Sequence, residues 1–204
     1  LSPSLTSIAS DAFYQCNNLQ KVINYSDLPL TKGYSNYGYV AYYAQQVINV
    51  DTIIDGFGFD TDANGMHHLT YYEGTDSILT LPSEFQEGNY AIDANVFSGH
   101  SEIVSIQFPD GITSIGARAF SGCSSLASLT LPESVTSIGT QAFYNCSSLA
   151  SVNVPEGVSV IEVQTFYNCS SLTSLHLPDS LKSIGNRAFY GCSSLTSVNI
   201  PDGV

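Results

Sequence analysis

The chain has 204 residues, 43% of them apolar, and a formal net charge of −13 from 18 acidic and 5 basic side chains. That apolar content suffices for a buried core and excludes global disorder. The charge excludes a nucleic-acid partner, because affinity for a phosphate backbone comes from Lys and Arg displacing counterions.

In chain order, the start Leu1-Ser2-Pro3-Ser4 has neither an initiator Met nor a basic n-region, and Met66 is the sole Met. It reads as a trimmed boundary, with any signal peptide or anchor removed or lying beyond Val204, so that the C-terminus cuts the array. No run of 18 or more apolar residues occurs, so no membrane-spanning helix is expected within the chain. Residues 1–25 predict a first leucine-rich rung, with Ile8, Ala12-Phe13, Cys16, Leu19 and Val22 at spacings that recur downstream.

From residue 26 to residue 78 the spacing is lost. Val22 and Leu79 lie 57 positions apart, one rung plus 34, and nine of the 13 tyrosines fall between Tyr25 and Tyr90. Val47-Ile48-Asn49-Val50 and Leu69-Thr70-Tyr71-Tyr72, separated by Asp62-Ala63-Asn64-Gly65, predict a Tyr-rich β insertion, a hairpin or meander with an Asn-Gly turn. Asp60-x-Asp62-x-Asn64-Gly65 also matches the opening of a calcium loop, but Tyr71 stands where the bidentate Glu belongs. Calcium loop and hairpin turn both stay open.

Residues 79–204 predict a solenoid. Phe97, Phe120, Phe143, Phe166 and Phe189 recur every 23 residues, as do Pro109, Pro132, Pro155, Pro178 and Pro201. Leu126-x-x-Leu129-x-Leu131 places alternate side chains on one side of a strand. Between Gly116 and Cys123, Ala119-Phe120 in a polar stretch predicts one or two short helical turns that drop a ring into the core. Such a unit cannot bury its own apolar side, so stacked neighbours must stabilise one another.

Val135-Thr136-Ser137-Ile138-Gly139, Ala142-Phe143-Tyr144-Asn145-Cys146-Ser147-Ser148-Leu149 and Val152-x-Val154-Pro155 resemble the repeat of BspA-like leucine-rich-repeat surface proteins. The resemblance covers residues 92–204 and returns near the start. It implies an α/β, right-handed leucine-rich-repeat solenoid with short parallel strands, interrupted by a native Tyr-rich insertion. It also implies a bacterial, extracellular cell-surface or secreted protein that adheres to protein or glycan ligands on host or neighbouring cells. Asp93 and Glu162 in place of Gly, Thr165 in place of Ala and His100 in place of Cys depart from the pattern and predict local distortion.

Cys16, Cys123, Cys146, Cys169 and Cys192 share one repeat position, which predicts an internal column of reduced thiols with parallel side chains. No C-x-x-C pair, nucleophile elbow or metal-binding helix occurs, so no catalytic, cofactor or metal site is predicted. The Leu28-Pro29-Leu30-Thr31 stretch reads as loop, and Asn145-Cys146-Ser147 and Asn168-Cys169-Ser170 follow from the repeat. Candidate ligand-binding residues are exposed columns: Gln107, Thr130, Asn153, His176 and Asn199 along one strand position, and Tyr144, Tyr167 and Tyr190 along the flank. Asp110, Glu133, Glu156, Asp179 and Asp202 form an acidic column that either attracts divalent cations or a basic partner or follows from turn chemistry after Pro. A binding scaffold is the expected function; a spacer for another domain, and an enzyme site within the insertion, are the alternatives.

Overall fold

The computed structural model describes residues 1–2, 4–9, 12–19, 21–24, 26, 28, 30, 46–50, 52–83 and 89–204. Tyr25, Tyr34, Tyr37, Tyr39, Tyr42 and Tyr43 of the insertion lie outside them, as do Pro29, Thr31 and Lys32. In chain order the strands are β1 (Lys21–Asn24), β2 (Gln46–Asn49), β3 (Thr52–Ile54), β4 (Phe57–Thr61), β5 (His67–Tyr72), β6 (Ile78–Thr80), β7 (Tyr90–Ile92) and β8 (Ser105–Gln107). They continue as β9 (Ile112–Ile115), β10 (Leu129–Thr130), β11 (Ser137–Ile138), β12 (Ser151–Asn153), β13 (Val160–Ile161), β14 (Ser174–His176) and β15 (Ser183–Ile184).

Each rung contributes two short strands to a β-solenoid. The Leu-x-Leu positions form one parallel ladder, β6 with β8 and then β10, β12 and β14, bridged at Ser105 and Ser128. A second parallel ladder forms where small polar residues sit between buried Val or Ile, from β7 through β9 to β11 and from β13 to β15. The two strands of a rung are joined by a tight turn in which Val135 N–H donates to the Pro132 carbonyl at 3.1 Å, repeated as Val158 to Pro155 and Leu181 to Pro178. Proline supplies the fixed φ, and the acid that follows faces water.

The expected helical turns are absent: among the described residues there is no helix, and the fold is all-β rather than α/β. The return segment of each rung holds two residues in the left-handed region, Arg118 (φ 57°) and Gly122 (φ 80°), then Gln141 (59°) and Asn145 (58°), then Gln164 (56°) and Asn168 (57°). A right-handed helix cannot run through such residues. Their amides bond across rungs instead: Arg118, Phe120 and Gly122 donate to the Thr140, Ala142 and Tyr144 carbonyls at 3.0, 2.8 and 2.7 Å. Rungs approach so closely that a Cβ on Gly139 would meet Ala117 N at 2.6 Å.

The core is a stack of Phe rings. Phe97, Phe120, Phe143, Phe166 and Phe189 succeed one another at centroid distances of 5.0, 5.5, 5.4 and 5.6 Å with interplanar angles of 5° or less. The departures from the repeat differ in effect: in the rung of Asp93 the β7–β9 register shifts between Tyr90 and Ala91, whereas the rung of Thr165 stays regular. Thr165, fully buried in the place of Ala, donates its hydroxyl to the Glu162 carbonyl at 2.8 Å, and its rung keeps the same ring spacing.

The hairpin differs in partner from the one expected. Phe57–Thr61, not Val47–Val50, pairs antiparallel with β5, with a bulge at Gly58/Phe59, while β2 runs parallel to β1. Phe57 and Phe59 supply the apolar side chains that fit the core face, both buried, whereas a Cβ on Gly58 would press on Val50 at 3.0 Å. β5 then continues the second ladder by pairing parallel with β7. Tyr72 stacks on Phe57 (4.9 Å) and lies 5.3 Å from Phe97, so the hairpin extends the aromatic stack beyond the first Phe of the array. The first rung packs Leu5, Ile8, Phe13 and Leu19 against a separate small core of Val22, Leu28 and Leu30.

Candidate binding surfaces

The buried thiols have a structural role. Cys123, Cys146 and Cys169 donate Sγ–H to the carbonyls of Phe97, Phe120 and Phe143, one rung back, at 3.2, 3.2 and 3.3 Å. Each of those carbonyls already accepts the amide three residues later in its own rung, His100 to Phe97 and Cys123 to Phe120 at 3.2 Å and Cys146 to Phe143 at 3.3 Å. Burial raises these thiols: Cys123 and Cys169 are pushed up to about 12 and Cys146 well above its usual value. Cys16 does not join the column; it is exposed, in a rung with a separate core. His100 keeps its ring against Tyr72 and its Nδ1 2.7 Å from Glu102 Oε1.

One titratable cluster was hidden from the linear pattern. His68 Nδ1 lies 2.8 Å from Asp93 Oδ1, and its buried Nε2, which has no hydrogen-bond partner among the described residues, stands 3.8 Å from Asp62 Oδ2. Strand pairing of β5 with β7 brings His68 beside Ala91 and so within reach of Asp93. The Asp62 carboxylate is engaged by its own turn, accepting the Asn64 and Met66 amides at 2.9 and 2.8 Å; the Met66 bond foremost holds it below the usual carboxylate range. Among the described residues no three His, Cys, Asp or Glu side chains are grouped to hold a metal.

The strand column stands outward. Gln107, Thr130, Asn153 and His176 are exposed on β8, β10, β12 and β14, and Asn199 is exposed beyond the last strand. Thr80 donates to Gln107 Oε1 at 3.2 Å. The column holds no Asp, Glu, Lys or Arg, and a shallow groove of about 370 Å³ lined by Thr173, Ser174, Leu175, Ser197, Val198 and Asn199 opens at its C-terminal end.

Richer chemistry lies on the return segments. Tyr144, Tyr167 and Tyr190 stack at 4.8 and 4.9 Å. Beside them runs the column Asn95, Arg118, Gln141, Gln164, Arg187, every member left-handed. Arg118 Nε donates to Gln141 Oε1, and Gln141 Nε2 donates to Gln164 Oε1 at 2.8 Å. In register, Asn168 donates to Asn145 at 3.1 Å. Arg187 lies over the Tyr190 ring at 6.0 Å. The two arginines are the only ones in the chain, and among the described residues neither has a carboxylate within ion-pair distance. The Phe-Tyr dipeptides made the Tyr column legible in sequence; the Arg-Gln column was missed, because its shared direction follows from left-handed backbone that composition does not reveal.

A family model for the BspA type leucine rich repeat region matches six copies over residues 1–44 and 90–204. The chain belongs to this family. Solved structures agree with the BspA-type assignment. A leucine rich cell surface protein from Faecalibacterium prausnitzii is 30% identical, with a TM-score of 0.55 over 75% of this chain and 49% of that one. A leucine-rich repeat protein from Bacteroides ovatus is 27% identical, with a TM-score of 0.59 over 74% and 47%. One from Eubacterium ventriosum, 22% identical with a TM-score of 0.55 over 91% and 56%, shares the fold. This BspA-type chain thus spans about half the length of these relatives. No curated protein matches it. Among the described residues no helix is long and apolar enough to cross a membrane.

Proposed function

We propose that this chain is a binding scaffold of a bacterial cell surface, holding a protein or glycan ligand of host or neighbouring cells against its exposed columns. The observation that carries the reading is the register of those columns: identical positions recur at strand spacing, about 4.8 Å, so weak contacts add along one extended partner. Tyrosine contributes rigid contact area at low entropic cost. Support for the surface location comes from the Faecalibacterium relative, described as a cell surface protein. Residues 1–25 serve as the first rung, 26–78 as the insertion and 79–204 as the main array.

Both faces are candidates, and substitution separates them. Asn153→Glu with His176→Glu alters the strand column; Tyr144, Tyr167 and Tyr190 to Ser alters the flank. Adhesion to immobilised matrix proteins and cell-surface glycans is expected to fall with one set while the melting midpoint holds. Retention of adhesion by both variants defeats the proposal.

A further inference from the structure

The tyrosine stack stops abruptly. Toward the N-terminus the position of Tyr144 is held by Ser121 and then Ser98, so the face of the Tyr144 ring away from Tyr167 borders an open groove of about 380 Å³ lined by Asn95, Ser98, Arg118, Ser121, Gln141 and Tyr144. Gln141 is engaged at both ends of its amide, by Arg118 Nε and by Gln164, which holds the Arg118 guanidinium in place through Nε alone. Its terminal amino groups remain for a ligand.

We infer that this groove binds a saccharide residue that carries a carboxylate, the sugar ring stacked on Tyr144 and the carboxylate paired with Arg118. The inference rests on the binding-scaffold reading and names the ligand class for one of its faces. An aromatic side chain from a protein partner would also continue the stack, but it would cover the Asn95 amide and the Ser121 hydroxyl without bonding them, at the cost of desolvated polar groups. A sugar offers both a C–H face for the ring and hydroxyls for the amide and serine groups. The guanidinium fork suits a carboxylate, and Arg118 has none of the chain's own within ion-pair distance among the described residues. The acidic column sits on the turn between the two strands of each rung, and none of its members lines the groove.

The repeat supplies its own conservative variants. Gln stands at the Arg118 position in the next two rungs with nearly the same φ, 59° and 56° against 57°. Tyr stands at the Ser121 position in the next three. The experiment titrates the chain with a galacturonic acid oligosaccharide and with its methyl-esterified, neutral counterpart by calorimetry. The acid is expected to bind at least about tenfold tighter than the ester, the worth of one charge-assisted pair. Arg118→Gln is expected to erase that preference, and Ser121→Tyr to abolish binding of the acid, with thermal midpoints unchanged in both. Equal binding of acid and ester, indifference to either substitution, or no binding of either sugar overturns the inference. Retention on matrix proteins is measured in parallel. If the chain is held there while neither sugar binds, the groove assignment alone falls; if nothing retains it, the scaffold reading falls with it.

Discussion

The array from residue 92 onward and the β4–β5 hairpin solve one problem, covering a column of stacked rings, by different means. In the array each ring is covered by its own copy one rung away, at 5.0–5.6 Å and nearly parallel. In the hairpin, where no copy precedes, Phe59 meets Tyr90 edge to face at 5.2 Å and 89°, and Tyr72 tilts by 49° against Phe97. Repetition thus fixes one geometry many times, whereas the hairpin closes the stack with rings at several different angles. The difference teaches that stability in the array is a nearest-neighbour property and at the hairpin a local one.

The largest effect should come from breaking the stack. Phe143→Ala is expected to cost about 3–5 kcal/mol and, in hydrogen exchange, to weaken protection on both sides of the gap. Phe59→Ala, equally buried, is expected to lose protection in β3–β5 while β12–β15 keep theirs. Uniform loss in both variants would erase the distinction between the regions.

Alkali should strike the array next. The buried thiols hold their protons more tightly folded than unfolded, so their contribution is complete below the unfolded value near 9.0 and is lost as pH rises toward about 12. Each deprotonation deferred by folding lowers stability by about 1.4 kcal/mol per pH unit in that window. Denaturant melts between those limits should therefore show a slope that flattens in Cys123→Ala and Cys169→Ala; an unchanged slope would remove the thiols from the account. Thiol counting at neutral pH is a milder test. Cys16 is expected to react promptly in the native chain and the four buried thiols only after denaturation. The smallest change is Ser151→Ala on the exposed ladder, expected to stay within about 0.5 kcal/mol; a larger loss would mean that this face is covered.

The spacing of Phe, Leu, Pro and Cys made the rungs, the Leu-x-Leu ladder, the exposed strand column and the tyrosine flank, half-buried at Tyr144 and Tyr167, legible, because buried positions repeat only where neighbours repeat. Besides the Arg-Gln column, the His68–Asp93 pair and the place of Cys16, three further features were not. Helical turns were expected around Ala119-Phe120 since a short apolar pair between polar residues suits a helix, yet hydrogen bonds across rungs to Thr140, Ala142 and Tyr144 outweighed those within the segment. The partner of Leu69–Tyr72 was misassigned because Val47-Ile48-Asn49-Val50 looks more strand-like than Phe57-Gly58-Phe59, whose glycine answers a tertiary contact with Val50. The groove beside Tyr144 was invisible because it consists of two missing rings, at Ser98 and Ser121, which matter only once Tyr144 and Tyr167 are seen stacked.

The cross-rung bonds of the return segment also give the solenoid a direction. Amides of Asn95, Phe97 and Gly99 donate to Ala117, Ala119 and Ser121, and the sense repeats in every rung to Asn168 donating to Tyr190. Within these five-residue stretches the donors look toward the C-terminal side and the acceptors toward the N-terminal side, like the two unlike ends of a zipper, while the Gly116-to-Ile92 and Ala150-to-Ala127 bonds elsewhere in the rung run the other way. Any further turn seated on the Arg187–Gly191 segment must offer its carbonyls, and one seated on Asn95–Gly99 must offer its amides. Two such arrays can continue one another only head to tail.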